Sequence, residues 1–455
     1  MIKSICRLSI VLIALFHLAK VFFSLAFWPL TLSTAALFIF GLAMQGQGFR
    51  KITLFFAIMG SAILFYYKMP LKIWEQTLIS MTNIIAIIVV MQLFTIPIEI
   101  GKYSNTIEYW LKRSFKKESS LYLFIMLVTT IFSSFLMFGT IPVMVSLFNN
   151  ALKNNIADCK RFLATAILRG YALVIFWSPG AVVMLLVMEV INVDWFELFV
   201  PGLLLSLIGL GTAYFLEHFT HLNKTIAAKS ITQTGEVDDK LANKQSVHIM
   251  MVVLCFLALV AVFEHFSIGS GTGKILLSGF IIAVLWISYY CEDKQLKNTM
   301  SSYWENGITK ANDFSVFFIA MGLFAGSVDD SGILNQLQPI LQNGVSQLGL
   351  LSVGIIPILF IILSLFGIHP LILIVLFAKI LLTLSLPLPL VSIGLILILS
   401  ASISFIITPF AGMAIMTANF LNAKPIDVSI KWNIIYSTLF LAEGIIFVIL
   451  WSRIL

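Results

Sequence analysis

The sequence predicts an all-α polytopic membrane protein of about eleven transmembrane helices, in two inverted repeats that each hold a re-entrant hairpin and a broken helix. Three observations predict it. Of 455 residues 60% are apolar and 11% charged, against about 25% charged in an average soluble domain. Apolar runs near 20 residues recur from end to end, each able to cross about 30 Å of hydrocarbon. A Gly-Pro motif inside such a run, FGTIP at Phe138 to Pro142, returns as FGIHP at Phe366 to Pro370.

The first two observations make the chain helical and place it in a lipid bilayer. Barrel strands would alternate apolar and polar residues, and no stretch here does so over any length. The net charge of +7 lies in short basic clusters between apolar runs, a pattern of membrane topology and not of nucleic-acid binding. Cys6, Cys159, Cys255 and Cys291 have no CxxC spacing, so neither a disulfide framework nor a zinc site is indicated, and no resident cofactor is expected. Lys3 and Arg7 precede the first apolar run without a convincing cleavage site, so that run is read as a retained helix.

The third observation extends into a duplication. Trp74-Glu75 matches Trp304-Glu305, MQLF at Met91 to Phe94 matches MGLF at Met321 to Phe324, and Ser178-Pro179 matches Thr408-Pro409. Asn192 and Asn422 each follow their proline by thirteen residues, and the offset stays between 228 and 230 throughout. The resulting domains are N-terminal helices over 1–48, repeat 1 over 49–217, a linker over 218–247, and repeat 2 over 248–455. Repeat 1 holds a hairpin at 120–155 and a broken helix at 161–191; repeat 2 holds a hairpin at 349–384 and a broken helix at 388–421. Full crossings are expected near 8–27, 31–45, 52–68, 76–98, 198–216, 249–264, 275–291, 310–327 and 432–452.

Basic residues orient these spans. Lys3/Arg7, Arg50/Lys51, the cluster from Lys102 to Lys117, Lys153/Lys160/Arg161, the loop 217–247, Lys294/Lys297 and Lys424/Lys431 belong in the cytoplasm. The segment from Ala325 to Leu350, with acids and no Lys or Arg, suits the outside. All are satisfied together if both FGxxP stretches enter and leave on one side. That puts the N-terminus in, the C-terminus out, and five crossings between equivalent points, so the repeats are inverted. The expected location is a bacterial cytoplasmic membrane.

A backbone reversing at membrane depth loses helical partners, which is tolerable only in protein or beside a water-filled cavity. Glycine permits the turn, and proline starts the returning half-helix. Half-helix ends carry partial charge, and paired interruptions in inverted halves point to a midplane binding site. The candidate substrate- or ion-binding residues are therefore Gly139, Thr140 and Pro142, Ser178, Pro179 and Gly180, Gly367, His369 and Pro370, and Thr408, Pro409, Phe410 and Ala411.

This arrangement resembles the ion transporter superfamily: divalent-anion/sodium symporters, citrate carriers, arsenite pumps and some sodium/proton antiporters. The resemblance covers nearly the whole chain and rests on architecture. It implies a site shared by both tips and both breaks, Na⁺ or H⁺ as coupling ion, and a homodimer with elevator-like movement. In the divalent-anion symporters the tips carry Ser-Asn-Thr. Here only Thr140 keeps a hydroxyl there and no asparagine is present, while Ser178-Pro179 and Thr408-Pro409 match better.

Other polar residues each have a structural reading and a functional one. His369, whose counterpart is Ile141, is a candidate proton relay or anion contact. Arg169, nine residues before Ser178, is a candidate anion ligand or a snorkelling side chain, and Lys379 is weighed alike. Asp313, Glu189 and Glu443 are candidate proton carriers or carboxyls bonded to a neighbouring helix. SIGSGTGKIL at Ser267 to Leu276 resembles a P-loop, but Gly269 stands one residue too close and Ile275 replaces the magnesium-binding hydroxyl. The leading expectation is a secondary active transporter of a small, anionic solute, an organic acid or oxyanion, coupled to Na⁺ or H⁺. The alternatives are a Na⁺/H⁺ antiporter of the same fold, a passive channel, and an intramembrane enzyme acting on lipid-linked substrates. No HExxH, GxSxG or clustered His/Asp set supports an enzyme.

Overall fold

The structure, a computed structural model, describes residues 2–113, 115, 117–136, 139–152, 156–220, 239–291, 293–333, 342, 352–384, 386 and 388–454. These form helices and no strand element. In chain order they are α1 (Ile2–Lys20), α2 (Trp28–Met44), α3 (Gln47–Tyr66), α4 (Leu71–Ile79), α5 (Thr82–Gln92), α6 (Thr95–Ile100) and α7 (Tyr103–Arg113). Next come α8 (Glu118–Leu136), α9 (Thr140–Leu152), α10 (Cys159–Val174), α11 (Val182–Ile191), α12 (Trp195–Thr220), α13 (Asp239–His265) and α14 (Gly271–Ser288). The last are α15 (Leu296–Ser302), α16 (Ile308–Ser331), α17 (Ser352–Leu365), α18 (Pro370–Thr383), α19 (Leu390–Ile407), α20 (Gly412–Leu421) and α21 (Trp432–Trp451). Single π-helical stretches, Tyr303–Gly307 and Asp427–Lys431, lead into α16 and α21.

Side-chain ties sort the helix ends onto two faces. At one face, His17 at the end of α1 bonds Thr82 (2.9 Å), and Asn83 bonds both Glu189 (2.5 Å) and Thr272 (2.9 Å). Lys274 bonds Glu264 (2.9 Å) and lies 4.0 Å from Asp194, so α13 ends, and α12 and α14 begin, at that face. The opposite ends meet at the other face. Tyr109 donates to Asp239 (2.6 Å), Arg161 to Glu217 (2.7 Å), Lys160 to the Asn422 carbonyl (2.9 Å), and Gln45 to the Asp313 carbonyl (2.8 Å). The second face carries most of the basic clusters and is called the basic face below.

Packing divides the helices into two groups. Helices α1 to α7 and α13 to α16 pack mainly on one another, above all α16 on α3 and α4, α1 on α2 and α5, and α14 on α5 and α13. Helices α8 to α12 and α17 to α21 form the second group, within which two parts interlock. The half-helix α11 lies against α18 and α20 lies against α9, while α10 crosses α19. The sequence permits the centre: α19 (LVSIGLILILSASISFII) is apolar around its whole circumference, and here it is buried along nearly its full length. Its serines turn inward, and Ser402 donates to the Ala172 carbonyl on α10 at 3.1 Å. The groups meet where α5, α14 and α16 touch α8, α11 and α18.

Several expectations are refined. The span expected at 76–98 lies within the candidate membrane span Leu71–Ile100, which is segmented into α4, α5 and α6. Pro97 has no N–H for the Leu93 carbonyl and its ring crowds that position, so the helix is interrupted at Leu93-Phe94. At the other gap Ser80 donates to the Thr77 carbonyl (2.9 Å) and Thr82 to the Ile79 carbonyl (2.6 Å), replacing backbone bonds. The expected loop 217–247 is shorter, because α12 runs to Thr220 and α13 begins at Asp239; residues 221–238 of it lie outside the described residues. So do Lys116, Lys153, Phe138 of FGTIP, 349–351 at the start of the second hairpin, and most of the acidic segment before Leu350.

Helix α12 seats on the first broken helix through one close approach. A Cβ on Gly202 would lie 1.9 Å from the Phe176 carbonyl oxygen, so only glycine fits there without backbone movement. Gly202→Ala should cost about 1–3 kcal/mol or more, the range for overpacking. It should appear as a lowered thermal midpoint in detergent; an unchanged midpoint would contradict this packing.

Candidate functional site

Four interruptions in the second group carry the predicted residues, and Gly367 of one lies beside Phe410 of another. The first break follows α10: the Ser178 N–H still reaches the Val174 carbonyl (3.0 Å), then Pro179 and Gly180 leave the helix and the Ala181 N–H closes onto the Ser178 carbonyl (3.1 Å). The second repeats it, with the Thr408 N–H on the Ser404 carbonyl (3.0 Å) and the Ala411 N–H on the Thr408 carbonyl (3.1 Å). Ala181 (φ −70°, ψ 126°) and Ala411 (φ −67°, ψ 133°) start the half-helices in one conformation. Asn192 (φ 55°) and Asn422 (φ 49°) end them in the left-handed region, where asparagine is tolerated better than most residues.

The two gaps between hairpin arms differ. Between α17 and α18, Gly367 takes φ +94°, which favours glycine. His369 caps α18, its Nδ1 accepting from the Leu371 N–H (3.3 Å), and Pro370 is the first helical residue. The His369 ring lies 6.0 Å from that of Phe405 on α19 and 6.4 Å from that of Phe317 on α16. Ser364 and Thr408 share a buried hydrogen bond at 2.9 Å, joining this hairpin to the second break. Gly367 also lies beside the exposed Phe410 ring, while Pro409 is partly exposed and Ala411 buried. Between α8 and α9, Gly139 is exposed, Thr140 is buried, and Pro142 falls in the first turn of α9.

Among the described residues no equivalent of the Ser364–Thr408 bond joins α8–α9 to the first break. Thr140 Oγ1 and Ser178 Oγ are buried without a hydrogen-bond partner among the described residues. A buried unpaired hydroxyl costs about 1–3 kcal/mol, and since Thr129, Ser133, Ser404 and Thr417 share the condition, it is the position at a helix interruption that singles out Thr140 and Ser178. Gly180, also buried, packs on Met91 of α5, where a Cβ would lie 3.1 Å from the sulfur.

Two cavities flank this centre, each between the two groups of helices. On the basic face a cavity of about 560 Å³ is bordered by Gly139 and Val143 from the second group, and by Gln92, Glu99, Tyr303 and Asn306 from the first. On the opposite face a cavity of about 570 Å³ is lined by His17, Lys20, Asn83, Glu189, Asn192 and Asp194 among others. The sequence reading missed the first group's share of these walls. Its one signal was Gln92, an amide inside an apolar run just before the Pro97 interruption.

The electrostatics of the middle follow from helix direction. Helices α9, α11, α18 and α20 begin at the interruptions, while α8, α10, α17 and α19 end there. Starts present free N–H groups and positive partial charge; ends present carbonyls and negative partial charge. Such a centre can hold an anion and a cation side by side.

The remaining candidates lie elsewhere. Arg169 is 1% exposed, so it does not snorkel. It donates to Asn433 Oδ1 (2.7 Å), the Tyr122 hydroxyl (3.0 Å), Glu217 Oε1 (2.9 Å) and the Trp432 carbonyl (3.1 Å), under the Tyr436 ring at 4.6 Å. Its donors serve the protein itself. Lys379 pairs with Asp329, joining α18 to α16 at the face opposite the basic one. Asp313 accepts from the Gly46 N–H (3.3 Å) and seats the α2–α3 turn. Glu443 accepts from Thr212 (2.5 Å) in a surface groove between α12 and α21. Among the described residues no group of three or more His, Cys, Asp or Glu side chains is placed to hold a metal ion.

Among solved structures, the chain is similar to the YdaH transporter of Alcanivorax borkumensis, with TM-score 0.62 and 14% identity over 88% of this chain and 98% of that one. It is also similar to MtrF of Neisseria gonorrhoeae, described as illuminating a class of antimetabolite efflux pumps, with TM-score 0.54 and 15% identity over 85% of each chain. No protein-family model and no curated protein matches in sequence. At this identity the likeness is one of fold. It does not reach the ion transporter superfamily expected from the sequence. Eight described stretches are long and apolar enough to cross a membrane, α4–α6 and α19–α20 each counted as one, and the chain is an integral membrane protein.

Proposed function

We propose that this protein is a secondary active transporter, moving a small anionic solute with Na⁺ or H⁺ by alternating access. One observation carries the reading: interlocked interrupted helices stand between two cavities that open toward opposite faces. The halves 49–217 and 248–455 are the inverted repeats, and α8–α9 and α17–α18 are re-entrant hairpins. The arm α18 has 14 residues, about 20 Å of helix at 1.5 Å per residue, too short for a hydrocarbon core of about 30 Å. The solute and coupling ion sit among Thr140, Ser178, the α18 and α20 starts and Thr408. The second group moves against the first, carrying the site from one cavity to the other. An anion is favoured because four helix starts aim at the centre, and a cation because four helix ends do.

The test uses a cysteine-free background, removing Cys6, Cys159, Cys255 and Cys291. Single cysteines at Thr140 and Ile368 are probed with membrane-impermeant thiol reagents from each side of the membrane. Access should change side when an ion gradient or bound solute is imposed. Fixed access from one side at both positions under every condition would sink the proposal. Solutes for this assay come from a thermal-shift screen of carboxylates, oxyanions and cations, with and without Na⁺.

A further inference from the structure

Glu189 stands apart from the interruptions, on the wall of the cavity opposite the basic face. It belongs to α11 in the second group, and its Oε2 accepts from Asn83 Nδ2 of α5 in the first group at 2.5 Å. The amide is oriented on all sides: Asn83 Oδ1 accepts from the Ile84 N–H (2.9 Å), and its NH₂ also donates to Thr272 Oγ1 (2.9 Å). Asn83 can therefore only donate to Glu189. An ionised carboxylate accepts without donating, and a bond to it is roughly twice as strong as one to a neutral acceptor.

Charged and titratable groups face Glu189 from each neighbouring element. Lys20 and His17 come from α1, His17 bonded to Thr82; Lys379 comes from α18 and is held by Asp329. Asp194 follows α11, and Lys274 on α14 is committed to Glu264 and Asp194. Among the described residues no Lys, Arg or His comes within ion-pair distance of Glu189. A half-buried carboxylate with no cation beside it is costly to keep ionised, which suits it to take up a proton. Neither Glu443 nor Asp313 bridges the two groups, since Glu443 bonds Thr212 within the second and Asp313 bonds Gly46 within the first.

We infer that Glu189 is a proton-binding site that couples protonation to movement of the two helix groups, through its bond to Asn83. A proton from water in the cavity forms an O–H bond on the carboxylate and is returned to water when the site faces the other side. Ionised, Glu189 holds α11 to α5 and favours the arrangement seen here. Protonated, it loses the charge-assisted bond and releases the tie. Acidification therefore shifts the population away from this arrangement. The inference rests on the alternating-access reading and assigns H⁺ as its coupling ion.

The experiment places single cysteines at Val143 and Ser270, one on each cavity wall, in the cysteine-free protein. Labelling by an impermeant maleimide is measured across pH in right-side-out and inverted vesicles. In the parent the ratio of the two rates should change about tenfold through the titration, equivalent to about 1.4 kcal/mol. Glu189→Gln should hold the acid ratio at every pH. Glu189→Asp should keep a titration with a displaced midpoint, which covers the case where the amide variant folds poorly. Infrared spectra should show a carboxyl C=O band that titrates with the same midpoint and is missing in Glu189→Gln. A Glu189→Gln profile matching the parent overturns the inference and leaves the transporter reading standing. So does a ratio that responds to Na⁺ and not to pH. Rates that respond to neither, nor to any solute from the screen, overturn the transporter reading as well.

Discussion

Replacing Arg169 by methionine should cost about 3–5 kcal/mol of stability, the range for removing one partner of a buried ion pair. The cause is the group left behind. Glu217 is 1% exposed and accepts from both Arg161 and Arg169. Without Arg169 it loses a cation at 2.9 Å, while Asn433, Tyr122 and the Trp432 carbonyl each lose a donor or partner. These contacts tie α10 to α8, α12 and α21, so the loss is felt across the second group. Tyr122→Phe removes one bond of the set and should cost about 1 kcal/mol. Thermal unfolding of purified protein in detergent checks both. A methionine variant as stable as the parent would show that the cluster is not a structural clasp and return Arg169 to the list of solute ligands.

Thr140→Val and Ser178→Ala should abolish or strongly weaken solute binding while leaving stability unchanged or raised. Both hydroxyls are buried without partners among the described residues, so deleting them strands nothing and removes a desolvation cost of about 1–3 kcal/mol each. Thr408→Val is the contrast. It deprives Ser364 of its 2.9 Å partner in a buried setting and should cost about 1 kcal/mol. The measurement pairs thermal midpoints in the absence of solute with the solute-induced shift for the best hit of the screen. If the Thr140 and Ser178 variants bind as the parent does, the unpaired hydroxyls are not ligands. If they lose stability as Thr408→Val does, their hydroxyls have structural partners.

Much of the architecture was legible because it rests on local chemistry. Gly367 needs a positive φ, Pro370 starts a helix, and Pro179 and Pro409 each follow a hydroxyl residue at a break. Such residues favour an interruption without forcing one, since Pro201 and Pro357 lie inside the continuous helices α12 and α17. Residues whose meaning depends on a distant partner were harder to read. Arg169 and Lys379 look alike in sequence, each a cation in an apolar run, yet one is enclosed by Glu217 and Tyr122 and the other meets Asp329 at a face. Glu189, Asp313 and Glu443 were equivalent acids until their partners separated them: Asn83 across the two groups, Gly46 within the first, and Thr212 within the second.

The sequence by itself determined that this is a membrane protein of helices and marked the breaks at Gly367, Pro179 and Pro409, while the interruptions between α4, α5 and α6 went unmarked. Hydropathy, proline and glycine act over a few residues and need no neighbour. Only the tertiary structure decided that α11 lies against α18 and α20 against α9, that two cavities lie between the helix groups, and that Gln92 and Asn83 face them. Those relations join residues tens to hundreds of positions apart. In a chain this uniformly apolar, hydropathy does not tell one buried helix face from another; shape and a few buried hydrogen bonds do.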